Sequence, residues 1–298
     1  MKKYKFKKIH AFASQNSEGN PAGAVFLKPD DEINSDEMQR IARELKSFVS
    51  EVGYVRQMDE DTFDLKYYSS EREVDFCGHA TIAILYDLIK NNHALMEKTH
   101  LTIRTPKGNL VVQNRVPTEN AVFITAPGPV FSQRRLSAEN ISKALRLQPD
   151  GIHPSYPLSM VNAGLETLIV PVRSLSGILA LSPEPDELKW FCMENAIDII
   201  TVFTDVVMDK KNSYRTRVFA PAFGYLEDPA TGSGNAALGG YLLKNNLWDG
   251  TLISIEQNQS MTNPNIVKLL AKANRNGSPQ VMFGGGAITR MDGKYLLT

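Results

Sequence analysis

Cysteine is scarce in this sequence: Cys77 and Cys192 are the only two among 298 residues, and they lie far apart. That excludes a disulfide framework and fits a reducing compartment. Net charge is also missing, since 33 Lys and Arg balance 33 Asp and Glu. With no long basic run, the electrostatic footprint of a nucleic-acid binder is absent. Long hydrophobic runs are lacking too. The most apolar stretch, Ile197 to Met208, is broken by Asp198 and Asp205 and is too short to span a bilayer. The basic start, Met1 to Lys8, has no apolar core of the kind a signal peptide needs. The expectation is a cytoplasmic protein with neither a nucleic-acid nor a membrane partner.

What is present is enough apolar material, 42% of the residues, for a full core in one large or two ordinary domains. Lysine alternates with apolar residues from Lys5 to Phe12, and Gly19-Asn20-Pro21 turns the chain into the apolar run Ala22 to Leu27, which reads as two strands. Ser35 is placed to cap a helix carrying Met38, Ile41, Ala42 and Leu45 on one face. Val49 to Arg56 and Thr62 to Tyr68 read as a hairpin. Further strands are predicted at Leu101 to Arg104, Leu110 to Arg115, Ala121 to Thr125, Glu166 to Val172, Ile199 to Thr204 and Tyr214 to Phe219. Helical stretches are predicted at Ala138 to Leu147 and Pro185 to Asn195.

Two segments, Ala80 to Ile89 and Asn235 to Leu243, have almost no polar face, so each predicts a helix buried on nearly all sides. Each follows a glycine turn: Cys77-Gly78-His79-Ala80-Thr81 in the first half, Asp228-Pro229-Ala230-Thr231-Gly232-Ser233-Gly234 in the second. Unpaired backbone N–H groups and the helix dipole favour an anion at such a place. Ala126-Pro127-Gly128-Pro129 is the strongest punctuation and sets the expected boundary, with domains at 1–127 and 128–298. The resulting fold class is α+β: two pseudo-symmetric domains, each a sheet wrapped around a central helix.

Gly19-Asn20-Pro21, Ser50-Glu51, Glu73 to Thr81 and Glu227 to Ser233 follow one another in an order that resembles the phenazine-biosynthesis PhzF-like isomerase family. The resemblance spans nearly the whole chain. It implies the diaminopimelate-epimerase fold, with an active site in the cleft between the domains. It also implies that Glu51 is the catalytic acid/base, with His79 and Asp228 as further active-site groups. A carboxyl that takes a proton from carbon and returns it needs a shielded site that raises its pKa. Glu51 sits among Phe48, Val49, Val52 and Tyr54, although periodicity alone favours a solvent-facing charge on an alternating strand, and it is the resemblance that reverses this. Asp228 is expected to pair with a substrate amine or hydroxyl and to hold His79 in one tautomer. Ser50, Gly78, Gly232 and Ser233 are expected to bind the substrate, the glycines by allowing close backbone approach.

Related racemases of this fold use two cysteines, one at each glycine turn. Here the first is Cys77, but the second position holds Thr231, a hydroxyl far too weak an acid to replace a thiolate. The two-cysteine mechanism is therefore disfavoured and Cys77 is expected to serve packing. Gly284-Gly285-Gly286 lacks the spacing of a nucleotide-binding loop, and Cys77 with His79 alone does not make a metal site. The expectation is an isomerase with no metal and no organic cofactor, acting by proton transfer on a small carboxylate-bearing substrate. The resemblance further implies chemistry like that of trans-2,3-dihydro-3-hydroxyanthranilate isomerase, and a homodimer. The alternatives are an amino-acid epimerase or racemase, and a non-catalytic small-molecule binding protein.

Overall fold

Alternating lysines build the first strand, β1 (Lys2–Ala11), which pairs antiparallel with β2 (Asn20–Leu27). The computed structural model describes residues 1–148, 150–274, 277 and 279–298. They form two units, residues 1–124 with 284–298, and residues 125–283.

In the first unit, helix α1 (Ser35–Glu44) follows β2. Its cap is Asn34 rather than the expected Ser35: the Asn34 side chain accepts from the Glu37 N–H at 2.9 Å, and the Glu37 carboxylate accepts from the Asn34 N–H at 3.1 Å. A capping box needs an acid or amide three residues after the cap, and Ser35 would have found Met38 there. Strand β3 (Glu51–Gln57) then lies parallel to β2 and antiparallel to β4 (Thr62–Ser69). The short β5 (Glu73–Val74) leads into α2 (Gly78–Lys90). After α3 (His93–Met96), β6 (His100–Thr105) runs parallel to β4, β7 (Gly108–Arg115) antiparallel to β6, and β8 (Ala121–Thr125) follows the turn of helix α4 (Val116–Glu119).

Strand β3 is covered on both faces, which explains its nearly continuous burial. Val52 and Tyr54 pack with Met38 and Ile41 of α1, and the Tyr54 hydroxyl donates to the Met38 carbonyl at 2.7 Å. Gly53 faces the other way, where a Cβ would lie 2.4 Å from Cδ1 of Ile84 on α2. The sheet thus approaches α2 as closely as a bare backbone allows. Residues 80–87 and Ile89 of that helix are buried, as its all-apolar sequence predicts. Its one buried charge, Asp87, is paired 2.8 Å from Nζ of Lys7 and accepts a further bond from Thr289 at 2.6 Å.

The second unit begins with β9 (Val130–Phe131), α5 (Ala138–Leu145), β10 (Ser159–Asn162) and β11 (Glu166–Pro171). Then come α6 (Leu175–Leu179), α7 (Pro185–Glu194), β12 (Ile199–Thr204), β13 (Tyr214–Phe219) and β14 (Glu227–Asp228). The long α8 (Gly232–Lys244) is followed by β15 (Ile253–Gln257), β16 (Asn265–Ala273) and β17 (Pro279–Gly285). Strand β10 is antiparallel to β11, β11 parallel to β12, and β12 antiparallel to β13. Strand β13 is antiparallel to β14 and parallel to β15, and β15 is antiparallel to β16. This is the pairing scheme of β1 through β7, strand for strand, with α8 in the place of α2. The pseudo-symmetric sheet-around-helix halves expected from the sequence are therefore present.

One boundary is corrected. The expected division at residue 127 falls three residues from the observed one, but residues 284–298, assigned from sequence to the second domain, belong to the first unit. The last strand, β18 (Ala287–Leu297), pairs antiparallel with β1, from Lys2 opposite Leu297 to Ala11 opposite Ala287. Pairing between the two ends of a chain leaves no local pattern to read. Among the described residues, no helix is long and apolar enough to cross a membrane.

Candidate active site

Glu51 opens β3, flanked by Ala22 on β2 and Ser69 on β4. Side chains alternate along a strand, so Glu51 shares the face of Gly53, the face that meets α2. His79 is the second residue of α2. The fold brings the two together: Nε2 of His79 lies 3.3 Å from Oε2 of Glu51, with side chains 12% and 20% exposed. Oε2 is buried and accepts no hydrogen bond among the described residues. Little therefore supports the ionised form, and burial pushes the carboxyl from its ordinary 4.5 up to about 7. The reading of Glu51 as a solvent-facing charge is thereby set aside.

On its other side the imidazole meets Cys77, whose Sγ is 3.4 Å from Nδ1. Cys77 is buried, as a packing residue would be, but its sulfur also touches the ring of His79. The turn is pinned from behind. The Tyr67 hydroxyl lies 2.6 Å from Oγ1 of Thr81, which donates to the Cys77 carbonyl at 2.7 Å. Donor atoms of Glu51, Cys77 and His79 all fall within 4.8 Å of one another, the composition of a borderline-soft metal site. Thiol and carboxylate, however, face different nitrogens of the ring. The imidazole thus lies between them as the middle of a chain, where a coordination sphere would need one nitrogen aimed at a common centre.

In the second unit Asp228 ends β14, half-buried, opposite Val218. Its Oδ2 accepts a 2.5 Å hydrogen bond from the Thr231 hydroxyl. The neighbouring Glu227 is held by Arg217 at 2.7 Å, which fixes the strand just before the turn. Gly232 is a glycine for a packing reason, because a Cβ would sit 2.3 Å from the ring of Phe283. Gly78 and Ser233 stand half-buried in the first turns of α2 and α8. Ser50 is exposed, and its N–H donates to the Pro21 carbonyl at 3.2 Å. Sequence reasoning missed Gln257, Asn235 and Asn265, all buried and all bonded to the Asp228 turn. The available signal was a polar run, Glu256-Gln257-Asn258-Gln259, closing an otherwise ordinary strand.

Two repeated halves, each with a sheet around a buried helix entered through a glycine turn, define the diaminopimelate-epimerase-like fold class. The chain belongs to the phenazine biosynthesis-like protein family, PhzC-PhzF, whose model matches residues 9–293, and it is an isomerase of that family. It is 28% identical to an uncharacterised isomerase of Escherichia coli K12, over 94% of each chain. It is 26% identical to the trans-2,3-dihydro-3-hydroxyanthranilate isomerase of Pseudomonas chlororaphis, over 97% of this chain and 98% of that one. Its fold is similar to the crystal structure of a Bacillus anthracis PhzF-family phenazine biosynthesis protein, with TM-score 0.87, 26% identity and complete coverage of both chains.

Proposed function

We propose that the protein isomerises a small carboxylate-bearing substrate by moving a proton between two carbons, with Glu51 as both base and acid. The observation that carries this is the buried Glu51 carboxyl, pushed up to about 7 and faced by His79. An acid/base works best when its pKa lies near the working pH. The Glu51 carboxylate takes a proton from carbon, the released electron pair spreads into an adjacent π system, and the same carboxyl returns the proton to a second carbon. No proton is gained or lost overall. His79 holds the carboxylate side of this exchange, and Asp228 holds the substrate's amine or hydroxyl. The backbone at Gly78, Gly232 and Ser233, together with Ser50, contributes substrate contacts. The substrate class follows the Pseudomonas chlororaphis relative, which is named for trans-2,3-dihydro-3-hydroxyanthranilate.

An epimerase would need a second acid in the position of Thr231, and that hydroxyl already donates to Asp228. The test is proton NMR in D2O on dihydro-hydroxyanthranilate and a panel of cyclic and amino-acid carboxylates, with wild type beside Glu51→Gln. Migration or exchange of a carbon-bound proton that vanishes in the variant supports the proposal. Turnover unaffected by Glu51→Gln removes Glu51 from the mechanism, and a change of optical rotation without migration would make the protein an epimerase.

A further inference from the structure

The hydrogen bonds beneath Asp228 run in one direction, and that direction can be derived atom by atom. The Thr231 backbone N–H can only donate, and it donates to Oε1 of Gln257 at 3.0 Å. The Thr231 carbonyl can only accept, and it accepts from Nδ2 of Asn235 at 2.8 Å. That orients the Asn235 amide, whose Nδ2 also reaches Oε1 of Gln257 at 2.7 Å. With Oε1 fixed by two donors, Nε2 of Gln257 must face the other way. It donates to the Asp228 carbonyl at 2.9 Å and to Oγ1 of Thr231 at 3.1 Å. A hydroxyl has one hydrogen. Having received a bond from Nε2, Thr231 sends its own to Oδ2 of Asp228 at 2.5 Å.

Two further observations show that this chain is built for the carboxylate. Thr231 occupies the N-cap of α8, where threonine usually turns its oxygen onto the helix N–H groups, yet it makes no such bond. Gln257 and Asn235 are wholly buried, with the Gln257 amide turned onto this turn and Asn235, and the Asn235 oxygen held from behind by the Thr216 hydroxyl at 3.4 Å, while Asn265 adds a bond to the Pro229 carbonyl at 2.7 Å.

We propose that Gln257, acting through the Thr231 hydroxyl, is the positioning residue for Asp228, fixing its carboxylate for the substrate. This rests on the role given to Asp228 in the proposed function. The cysteine-to-threonine change that disfavours a racemase mechanism then has a positive purpose, since a thiol is a poor donor to a carboxylate and a hydroxyl is a good one.

The test pairs crystal structures with kinetics for Thr231→Val, Thr231→Ser and Gln257→Glu. In Thr231→Val the Asp228 carboxylate is expected to leave its wild-type rotamer, and in Thr231→Ser to keep it. Gln257→Glu supplies an acceptor where Nε2 donated, so the Thr231 hydroxyl turns away and Asp228 is again released. On the substrate found in D2O, Thr231→Val should raise KM about tenfold with kcat within about threefold, and Thr231→Ser should restore it. Added to Asp228→Asn, Thr231→Val should cost nothing more. An unmoved Asp228 rotamer in both Thr231→Val and Gln257→Glu overturns the proposal, as do effects of Thr231→Val and Asp228→Asn that multiply. If Asp228→Asn turns over like wild type, the functional role of Asp228 is what fails, and the rotamers still decide the positioning. That readout needs no substrate.

Discussion

The two halves are one design used twice, so each serves as an internal control for the other. Aligning β3 and β4 with β12 and β13 through their pairings, Val52 with Tyr68 and Ile200 with Phe219, sets Glu51 against Ile199. The helices α2 and α8, 13 residues each, align from their first glycines, Gly78 and Gly232. Cys77 then matches Thr231, His79 matches Ser233, and Thr81 matches Asn235. One step earlier, Val74 matches Asp228. Shared features belong to folding. In both halves the residue four beyond the cap donates back to the cap's carbonyl, Thr81 to Cys77 at 2.7 Å and Asn235 to Thr231 at 2.8 Å. The features that differ are those the proposed function calls on: a carboxyl and an imidazole in the first half, a carboxylate with its amide support in the second. Neither half repeats the other's polar groups, and the proposed function draws on both.

The largest effect should come from the position where the halves differ most. Glu51→Gln is expected to lower kcat by about a thousandfold, within the usual range for losing a general acid/base. Ile199→Val, the same point of the repeat, should change kcat less than threefold and cost about 1 kcal/mol of stability. Comparable kinetic losses at both sites would mean that the site's shape, rather than its acid, limits the rate.

A second comparison lies deeper in the helices, where Asp87 and Tyr241 match. Asp87→Ala leaves the buried Lys7 with only the exposed Asp292, at 3.5 Å, in place of its 2.8 Å partner, and should destabilise the fold by about 3 kcal/mol in denaturant melts. The Tyr241 hydroxyl makes no hydrogen bond among the described residues, so Tyr241→Phe should stay within about 1 kcal/mol of wild type. Equal losses would show that the two helices are anchored alike.

Glu51 also imposes a pH dependence that its counterpart Ile199 cannot. With the native carboxyl at about 7 and the ordinary value at 4.5, the native state binds more protons than the unfolded chain between those limits. Stability therefore falls as pH rises through that window and levels off above it. At about 1.4 kcal/mol per pH unit the full cost is about 3 kcal/mol. Glu51→Gln should match wild type at pH 4 and exceed it by about that amount at pH 8, measured by urea unfolding. A constant offset across the range would place the raised pKa elsewhere. In kinetics the same group predicts kcat/KM rising with pH through about 7, since the base must be ionised to take the first proton.

Much of the repeat was legible in the sequence. Ile199 to Thr204 and Tyr214 to Phe219 fall on β12 and β13 residue for residue, because β-branched and aromatic runs bounded by turns leave little choice. The two apolar helices were legible because a segment with almost no polar face after a glycine turn is a helix buried on nearly all sides. The membership of β18 was not, since its partner is at the other end of the chain. At the site, motif order could nominate Glu51 and His79, but their 3.3 Å approach depends on which face of β3 meets α2, and that was settled by Gly53 against Ile84. Gln257 escaped notice because a buried glutamine reads like an exposed one until its four hydrogen bonds are seen.

The smallest expected effect concerns the pair of helix caps, Cys77 and Thr231. Both decline the usual capping bond, and each turns its side chain onto a candidate site residue of its own half, His79 or Asp228. The sulfur contact at 3.4 Å is much the weaker, because a thiol is a poor donor and a poor acceptor. Cys77→Ala should therefore lower kcat only about threefold, against the larger KM effect of Thr231→Val. Its signature lies in the imidazole. Nitrogen-15 shifts of the His79 ring report which nitrogen carries the proton, and losing the neighbour of Nδ1 should change that balance while leaving Glu51 in place. Identical shifts in wild type and Cys77→Ala would show that the sulfur only fills space. The sulfur would then have no part in setting the His79 tautomer, and the likeness between the two caps would end at their geometry.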